Sequence, residues 1–161
     1  MEKPNEKGQC WLDPVSVTPR VGSTYPAPFG APLAGREQRA LGDALKLTQF
    51  GVNLVTLAPG TWSSQRHWHA NEDEFIYVLD GEVTLVTDAG EKVLGPGMAA
   101  GFPAGKPDGH HLVNRTERPA LYLEVDTRAA YEEAHHSDID MVARKEGGRF
   151  VFTHKNGDPY P

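Results

Sequence analysis

Short apolar runs separated by tight-turn signals dominate the chain from about residue 44 onward. Two of these runs meet at Asp80-Gly81, which is a strong signal for a β-hairpin. We predict strands at residues 50–57, 75–79, 83–87, 91–94, 98–102, 110–114 and 121–125. Several short strands at this spacing are typical of a barrel or a sandwich. Residues 128–135 resemble a short helix, and residues 138–142 and 149–153 are predicted as late edge strands.

The first 43 residues follow a different pattern, in which prolines prevent long regular elements. These prolines are Pro4, Pro14, Pro19, Pro26, Pro28 and Pro32. Large apolar residues such as Trp11, Tyr25 and Phe29 nevertheless require burial. We therefore predict a proline-rich N-terminal arm over residues 1–43 that packs on the body or on a neighbouring subunit. Residues 44–161 form one barrel domain with a C-terminal extension.

Charge and composition narrow the classes of partner. The chain has 22 acidic and 16 basic residues, for a net charge of −6. A nucleic-acid-binding protein usually carries a basic face, so we expect no nucleic-acid partner. No apolar run approaches the ~20 residues that a membrane helix needs, so we expect no membrane partner. A single cysteine, Cys10, cannot form an internal disulfide, which favours a cytoplasmic location.

Candidate metal ligands fall into two clusters along the chain. His67 and His69 are separated by one residue, so on a strand both side chains point to the same face. Glu74 begins the next predicted strand and can bring a carboxylate to the same place. The second cluster supplies a third imidazole from a distant strand, either His110 or His111. Adjacent residues such as His135 and His136 do not converge, and we assign them no role.

Three imidazoles and one carboxylate make a mixed nitrogen and oxygen donor set. Such a set suits Mn, Fe, Co, Ni or Zn better than Ca or Mg. It also leaves one or two positions for water or substrate, which is typical of a working site rather than a structural one. We therefore predict one divalent transition metal, whose identity the sequence does not specify.

The two clusters resemble the two signature motifs of the cupin superfamily. The first motif is matched by Gly60, His67, His69, Glu74 and Gly81. The second motif is matched by Gly97, Pro103, Gly105, His110 and Asn114. The spacing of its histidine and asparagine favours His110 over His111 as the ligand. The resemblance implies an all-β cupin double-stranded β-helix, or jelly-roll barrel, with an extended N-terminal arm.

More loosely, the chain is similar to short bacterial single-domain cupins provisionally called sugar-phosphate isomerases. This resemblance favours a metal-dependent isomerase that acts on a small polar sugar or sugar phosphate. One alternative is a non-haem iron dioxygenase that uses the same ligands, and another is a non-catalytic metal- or sugar-binding cupin. We also expect a homodimer, because exposed barrel edges and the apolar arm need cover.

Residues that contact the substrate are harder to predict than the metal ligands. Arg66 and Lys106 lie next to ligand positions in the sequence and could meet an anionic substrate. Tyr122 and Glu124 alternate with Leu121, Leu123 and Val125, so one of the two sets faces the metal cavity. The pattern does not decide which set this is, and it assigns no catalytic residue.

Overall fold

The structure is a computed structural model that describes residues 10–161. Within this range thirteen strands are joined mainly by turns. Along the chain they are β1 (Arg20–Val21), β2 (Arg36–Ala40), β3 (Phe50–Leu57), β4 (His67–His69), β5 (Glu74–Asp80), β6 (Val83–Thr87), β7 (Gly90–Leu94), β8 (Ala99–Phe102), β9 (His111–Val113), β10 (Ala120–Thr127), β11 (Glu133–His136), β12 (Val142–Glu146) and β13 (Arg149–Thr153). The helical segments are α1 (Leu41–Ala44) and two 3-10 turns, Pro14–Ser16 and Ala31–Leu33. None of these helices is long and apolar enough to cross a membrane.

Three antiparallel sheets make up the body, which confirms the predicted all-β class. The largest sheet has six strands in the order β1-β2-β3-β10-β5-β8. A four-stranded sheet follows the order β13-β12-β11-β4, and a three-stranded sheet follows the order β7-β6-β9. Neighbours in the six-stranded sheet such as β3 and β10 are far apart in sequence, so the barrel is held together by long-range pairing.

Strand alternation in β3 shows how the sheet separates core from cavity. Its residues alternate between buried and partly exposed positions, as expected for a strand with one face inward. Val55 and Leu57 on the inward face are fully buried in the apolar core, which also contains Ile76 and Val78. Asn53 lies on the same face but lines the cavity. One strand therefore supplies both the core and the polar site.

Part of the predicted N-terminal arm is built into the barrel. β2 pairs with β3 over five residues, and β1 pairs with β2, so both belong to the six-stranded sheet. Leu33, just before β2, is almost fully buried. Residues 1–9 of the predicted arm lie outside the described residues. The division of the chain at residue 43 stays a prediction, since β2 and β3 share one sheet across it.

The predictions for the C-terminal region need two corrections. The helix predicted over residues 128–135 is wrong, because residues 133–136 form β11 and pair with β4 and β12. The segment has no apolar helical stripe, but its alternating burial suits a strand. The strand predicted at residues 138–142 is also displaced: residues 138–140 form bends, and β12 begins only at Val142. The predicted bounds of β3, β6 and β13 are confirmed.

Candidate metal centre

Pairing between distant segments positions the three histidines. His67 and His69 lie on β4 and face the same side, with 3.0 Å between their Nε2 atoms. The backbone of His67 forms an isolated bridge with His110, with hydrogen bonds of 3.2 and 2.9 Å. This bridge brings a histidine from the second cluster beside the first. The three rings therefore share one region of the barrel interior.

Glu74, at the start of β5, adds the carboxylate. Its Oε2 atom lies 3.4 Å from Nε2 of His69 and 3.4 Å from Nε2 of His110. Ligand atoms of His67, His69 and Glu74 all lie within 4.8 Å of one another. Four side chains from three segments therefore converge, and each presents a nitrogen or oxygen atom with a lone pair.

Contacts behind the rings orient two of the histidines. Nδ1 of His67 lies 2.8 Å from the carbonyl oxygen of Gln65, so Nδ1–H donates and the Nε2 lone pair faces the cluster. Nδ1 of His69 lies 3.5 Å from Oε1 of Glu132, a fully buried carboxylate. The His110 ring stacks on Phe102, with centroids 3.5 Å apart. Such outer contacts fix the tautomer and orientation of metal-binding histidines.

Electrostatics in the cluster favour neutral or anionic ligands at two positions. Burial, together with the neighbouring His69 and His110, holds the pKa of His67 well below its usual range. Burial opposes ionisation of Glu74, but hydrogen bonds from His110 and His69 lower its pKa well below the usual range. Burial lowers the pKa of His69, while the Glu132 and Glu74 carboxylates outweigh it and raise that pKa to about 10.

This donor set fits a divalent transition metal. Nε2 of His67 lies 3.0 Å from Nε2 of His69, and Oε2 of Glu74 lies 3.4 Å from Nε2 of both His69 and His110. Nδ1 of His67 and of His69 is turned away from this cluster. A divalent cation held by these residues would take the place of the proton that His69 otherwise shares with its acidic neighbours. Borderline metals prefer such imidazole and carboxylate ligands.

A second acidic group lies beside the cluster but is occupied by structural contacts. His69, Glu72 and Glu132 are also close enough to hold an ion. Glu132 accepts hydrogen bonds from the backbone amides of Ala70 and Asn71, at 2.9 and 3.0 Å. Glu72 accepts from Lys145 at 2.8 Å and from the Ala129 amide at 2.9 Å. These carboxylates therefore support the loop after β4 and the ring of His69.

Three other residues singled out in the sequence, His111, Arg66 and Lys106, do not join the cluster. The His111 ring contacts Trp62, with centroids 4.8 Å apart, and its Nδ1 donates to the Ser64 carbonyl. Arg66 donates to Asp88 and Asp138, and does not line the cavity beside the cluster. Lys106 is exposed and lines a separate pocket of about 200 Å³ behind His69 and His110.

The cavity in front of the cluster has a volume of about 250 Å³ and two chemically distinct sides. We call His67, His69, Glu74 and His110 the histidine wall. We call Arg20, Arg36, Gln38 and Tyr122 the arginine wall, and all of these residues line the same cavity. Glu124, Asn53 and Asp126 lie between the two walls. The set containing Tyr122 and Glu124 therefore faces the cavity.

Sequence reasoning missed the arginine wall. Arg20, Arg36 and Gln38 belong to the segment predicted as an arm, and no motif distinguishes them from solvated polar residues. For Tyr122, the remaining member, the sequence signal was strand alternation. That signal did not decide whether the side chains of Tyr122 and Glu124 or those of their neighbours face the cavity. Pairing of β2 with β3 brings the arm residues inside, and that pairing is set by long-range contacts.

Comparisons with known proteins show the family to which the fold belongs. The cupin domain family matches residues 53–126. A sugar phosphate isomerase of the cupin superfamily from Silicibacter pomeroyi has 48% identity and a TM-score of 0.90, with coverage of 94% of this chain and 96% of that chain. Among curated proteins, no significant match was found.

Two more distant structures share the fold. A protein from Acidithiobacillus ferrooxidans, provisionally described as a sugar phosphate isomerase, has 25% identity and a TM-score of 0.70; the alignment covers 78% of this chain and 80% of that chain. The polyketide cyclase RemF from Streptomyces resistomycificus has 22% identity, a TM-score of 0.57, and coverage of 73% and 78%. At that identity the likeness concerns the fold alone.

Proposed function

The chain belongs to the cupin superfamily, and from this starting point we propose that it is a metal-dependent isomerase of a small polar sugar or sugar phosphate. The observation that carries the proposal is the convergence of His67, His69, Glu74 and His110 at one side of a polar cavity. The 48% identical relative described as a sugar phosphate isomerase favours this reaction class.

We propose that the histidine wall holds one divalent transition metal, which when bound polarises a substrate oxygen and stabilises negative charge that develops there. His67, His69, Glu74 and His110 are the proposed ligands. Outer contacts from Gln65 and Glu132 keep the rings of His67 and His69 in place. The metal is one of Mn, Fe, Co, Ni or Zn, the ions that this donor set suits.

Isomerisation of a sugar also needs a group that moves a proton between neighbouring carbons. Glu124 is the proposed group, because it lines the cavity without belonging to the ligand set. Burial outweighs the attraction of Arg36 and raises the pKa of Glu124 to about 7. A carboxyl with such a pKa can both accept and return a proton near neutral pH.

The test combines metal analysis with activity. Protein purified without added metal is analysed for its metal content, and reconstituted protein is then assayed against a panel of aldose and ketose sugars and their phosphates. We expect turnover that is lost in His67→Ala and strongly reduced in Glu124→Gln, while metal content falls only in the former. Iron as the dominant metal with oxygen uptake would support the dioxygenase. Bound metal and sugar without turnover would support a binding protein.

We also propose a homodimer formed through the outer face of β5. Phe75, Tyr77 and Leu79 point outward on this strand and are 45%, 39% and 40% exposed. A row of large apolar side chains on one face of a sheet is typical of an interaction surface. Light scattering should give a dimer for the wild type and a monomer for Tyr77→Lys, while Glu82→Lys, a change on an exposed turn residue, stays dimeric.

A further inference from the structure

Two buried donors at the arginine wall have no hydrogen-bond partner among the described residues. Arg36 is only 7% exposed, yet its Nε atom is unpaired. Tyr122 is fully buried, and its hydroxyl is also unpaired. Burial raises the pKa of Tyr122, so the phenol keeps its proton and remains a donor. Buried polar groups are nearly always hydrogen-bonded, so these two donors point to a missing acceptor.

The two guanidinium groups at this wall make no hydrogen bond to a carboxylate among the described residues. Gln38 Oε1 accepts from Arg20 Nη2 at 2.6 Å and from Arg36 Nη1 at 2.9 Å. A neutral amide thus holds two guanidinium groups together without neutralising them. Glu124 approaches Arg36 at 3.9 Å, which is beyond hydrogen-bond distance. Its other oxygen instead accepts from Asn53 Nδ2 at 3.2 Å.

We propose that the arginine wall is a phosphate subsite, in which Arg36 Nε and the Tyr122 hydroxyl donate to the phosphate oxygens of a phosphorylated sugar. Arg20 lies at the exposed edge of the cavity and supplies the second positive charge. The assignment rests on the proposed function, because the sugar end of the same molecule then faces the histidine wall. It narrows the substrate class from sugars in general to sugar phosphates.

The number and kind of donors favour phosphate over a carboxylate. Each guanidinium has five N–H donors in a planar fork, and the phenol adds another. A phosphate group offers more acceptor oxygens and up to two charges, so it can engage both arginines together. The competing interpretation is that Arg36 serves only as a counter-ion for Glu124. That interpretation leaves Arg36 Nε and the Tyr122 hydroxyl unexplained.

The experiment measures binding of inorganic phosphate to the full-length chain by calorimetry. The protein is stripped of metal with chelator, because phosphate also binds metal ions. We expect Arg36→Gln to weaken phosphate binding about 10- to 100-fold, as for loss of charge-assisted hydrogen bonds. The matched control is Arg39→Gln, on the same strand but facing outward, where the side chain donates to the Val17 carbonyl. This control should bind phosphate like the wild type.

A second variant covers the case in which Arg36→Gln does not fold. Tyr122→Phe removes only the hydroxyl oxygen, and we expect about a 5- to 10-fold loss of phosphate affinity. The proposal is overturned if the wild type does not bind phosphate, or if the folded variants bind it as tightly as the wild type. Tighter binding of malonate than of phosphate would also overturn it, in favour of a carboxylate subsite.

Failure of this inference can be distinguished from failure of the proposed function. If the protein turns over a sugar but its phosphate binding does not change in the Arg36 and Tyr122 variants, the phosphate subsite is rejected and the proposed isomerase activity stands. If phosphate binding depends on both residues but no sugar phosphate is turned over, the phosphate subsite stands and the proposed isomerase activity is rejected. Metal content should be unchanged in Arg36→Gln and Tyr122→Phe, since neither residue belongs to the histidine wall.

Discussion

The two walls of the cavity present different kinds of polar atom, although each contains buried atoms without a hydrogen-bond partner among the described residues, which in the histidine wall are Nδ1 of His69 and of His110. In the histidine wall, Nδ1 of His67 donates to a backbone carbonyl and the Nε2 atoms point to a common centre. In the arginine wall, Arg36 Nε and the Tyr122 hydroxyl have no partner among residues 10–161. The first arrangement is ready to receive a cation, and the second to receive an acceptor of opposite charge.

The walls also differ in how the chain builds them. Two of the three histidines lie on the short strand β4, followed closely by Glu74. The arginine wall joins β1 and β2 to β10, more than 80 residues further along the chain. A sequence motif can record a local arrangement, whereas a surface assembled from such distant strands leaves no spacing signature. In this cupin cavity, a sequence motif therefore specifies the histidine wall, and no sequence motif specifies the arginine wall.

Removal of one histidine should have the largest effect, because it should disable the histidine wall and spare the arginine wall. We expect His67→Ala to weaken metal binding by more than about 100-fold, because even outer contacts of metal ligands contribute 10- to 100-fold. Phosphate binding at the arginine wall should persist. Equilibrium dialysis with elemental analysis measures metal binding, and calorimetry measures phosphate binding. The control is His135→Ala, whose ring stacks on Trp68 away from the cluster; a comparable metal loss there would contradict the ligand assignment.

Removal of the metal should lower stability without unfolding the barrel. A ligand bound only by the folded state contributes about 2.7 kcal/mol at 100 times its dissociation constant. The apolar core around Val55, Leu57 and Tyr122 does not depend on the metal. Thermal melting with chelator should therefore show a lower but still cooperative transition. An identical melting temperature with and without chelator, in protein shown to contain metal, would break the prediction.

Glu132 allows a test of the support behind the histidine wall. We expect Glu132→Gln to weaken metal binding about 10- to 100-fold, because the neutral amide no longer attracts the His69 ring, whose Nδ1 lies 3.5 Å from the carboxylate. The amide can still accept from the backbone of Ala70, so the fold should be retained. Glu133→Gln is the matched control on the neighbouring position. Equal metal affinity in the two variants would limit Glu132 to a structural role.

The smallest expected effect concerns the pH dependence of stability at Glu124. Its pKa is raised from the ordinary value of 4.5 to about 7 in the folded protein, because the carboxyl is buried. The stabilising contribution of the protonated form is therefore present below the unfolded pKa and lost as pH rises through about 7. Glu124→Gln should remove this loss, so the variant gains stability relative to the wild type as the pH rises from about 5 to about 8. Urea unfolding of the metal-free wild type and variant at the two pH values measures the difference in their free energies of unfolding. A difference that does not increase with pH would contradict the prediction.

Much of the fold could be predicted because strand alternation and turn residues are local signals. β3 and β6 appear at the predicted residues, and a turn at Asp80-Gly81 separates β5 from β6. The hairpin predicted there is wrong, because β5 pairs with β10 and β8 whereas β6 pairs with β7 and β9 in another sheet. β11 was missed because residues 128–135 have no clear period of their own. Its strand conformation depends on pairing with β4 and β12, which come from other parts of the chain.

The sequence by itself determined the all-β class and placed His67 and His69 on one face, because side-chain alternation is a property of any single strand. It also nominated Glu74 and His110 through their spacing. Only the tertiary structure decided that Tyr122 and Glu124 face inward, that Arg66 pairs with Asp138, and that Arg36 enters the cavity. These outcomes depend on which strands pair and on which side of each sheet the core forms, and both are settled by burial of apolar surface across the whole barrel.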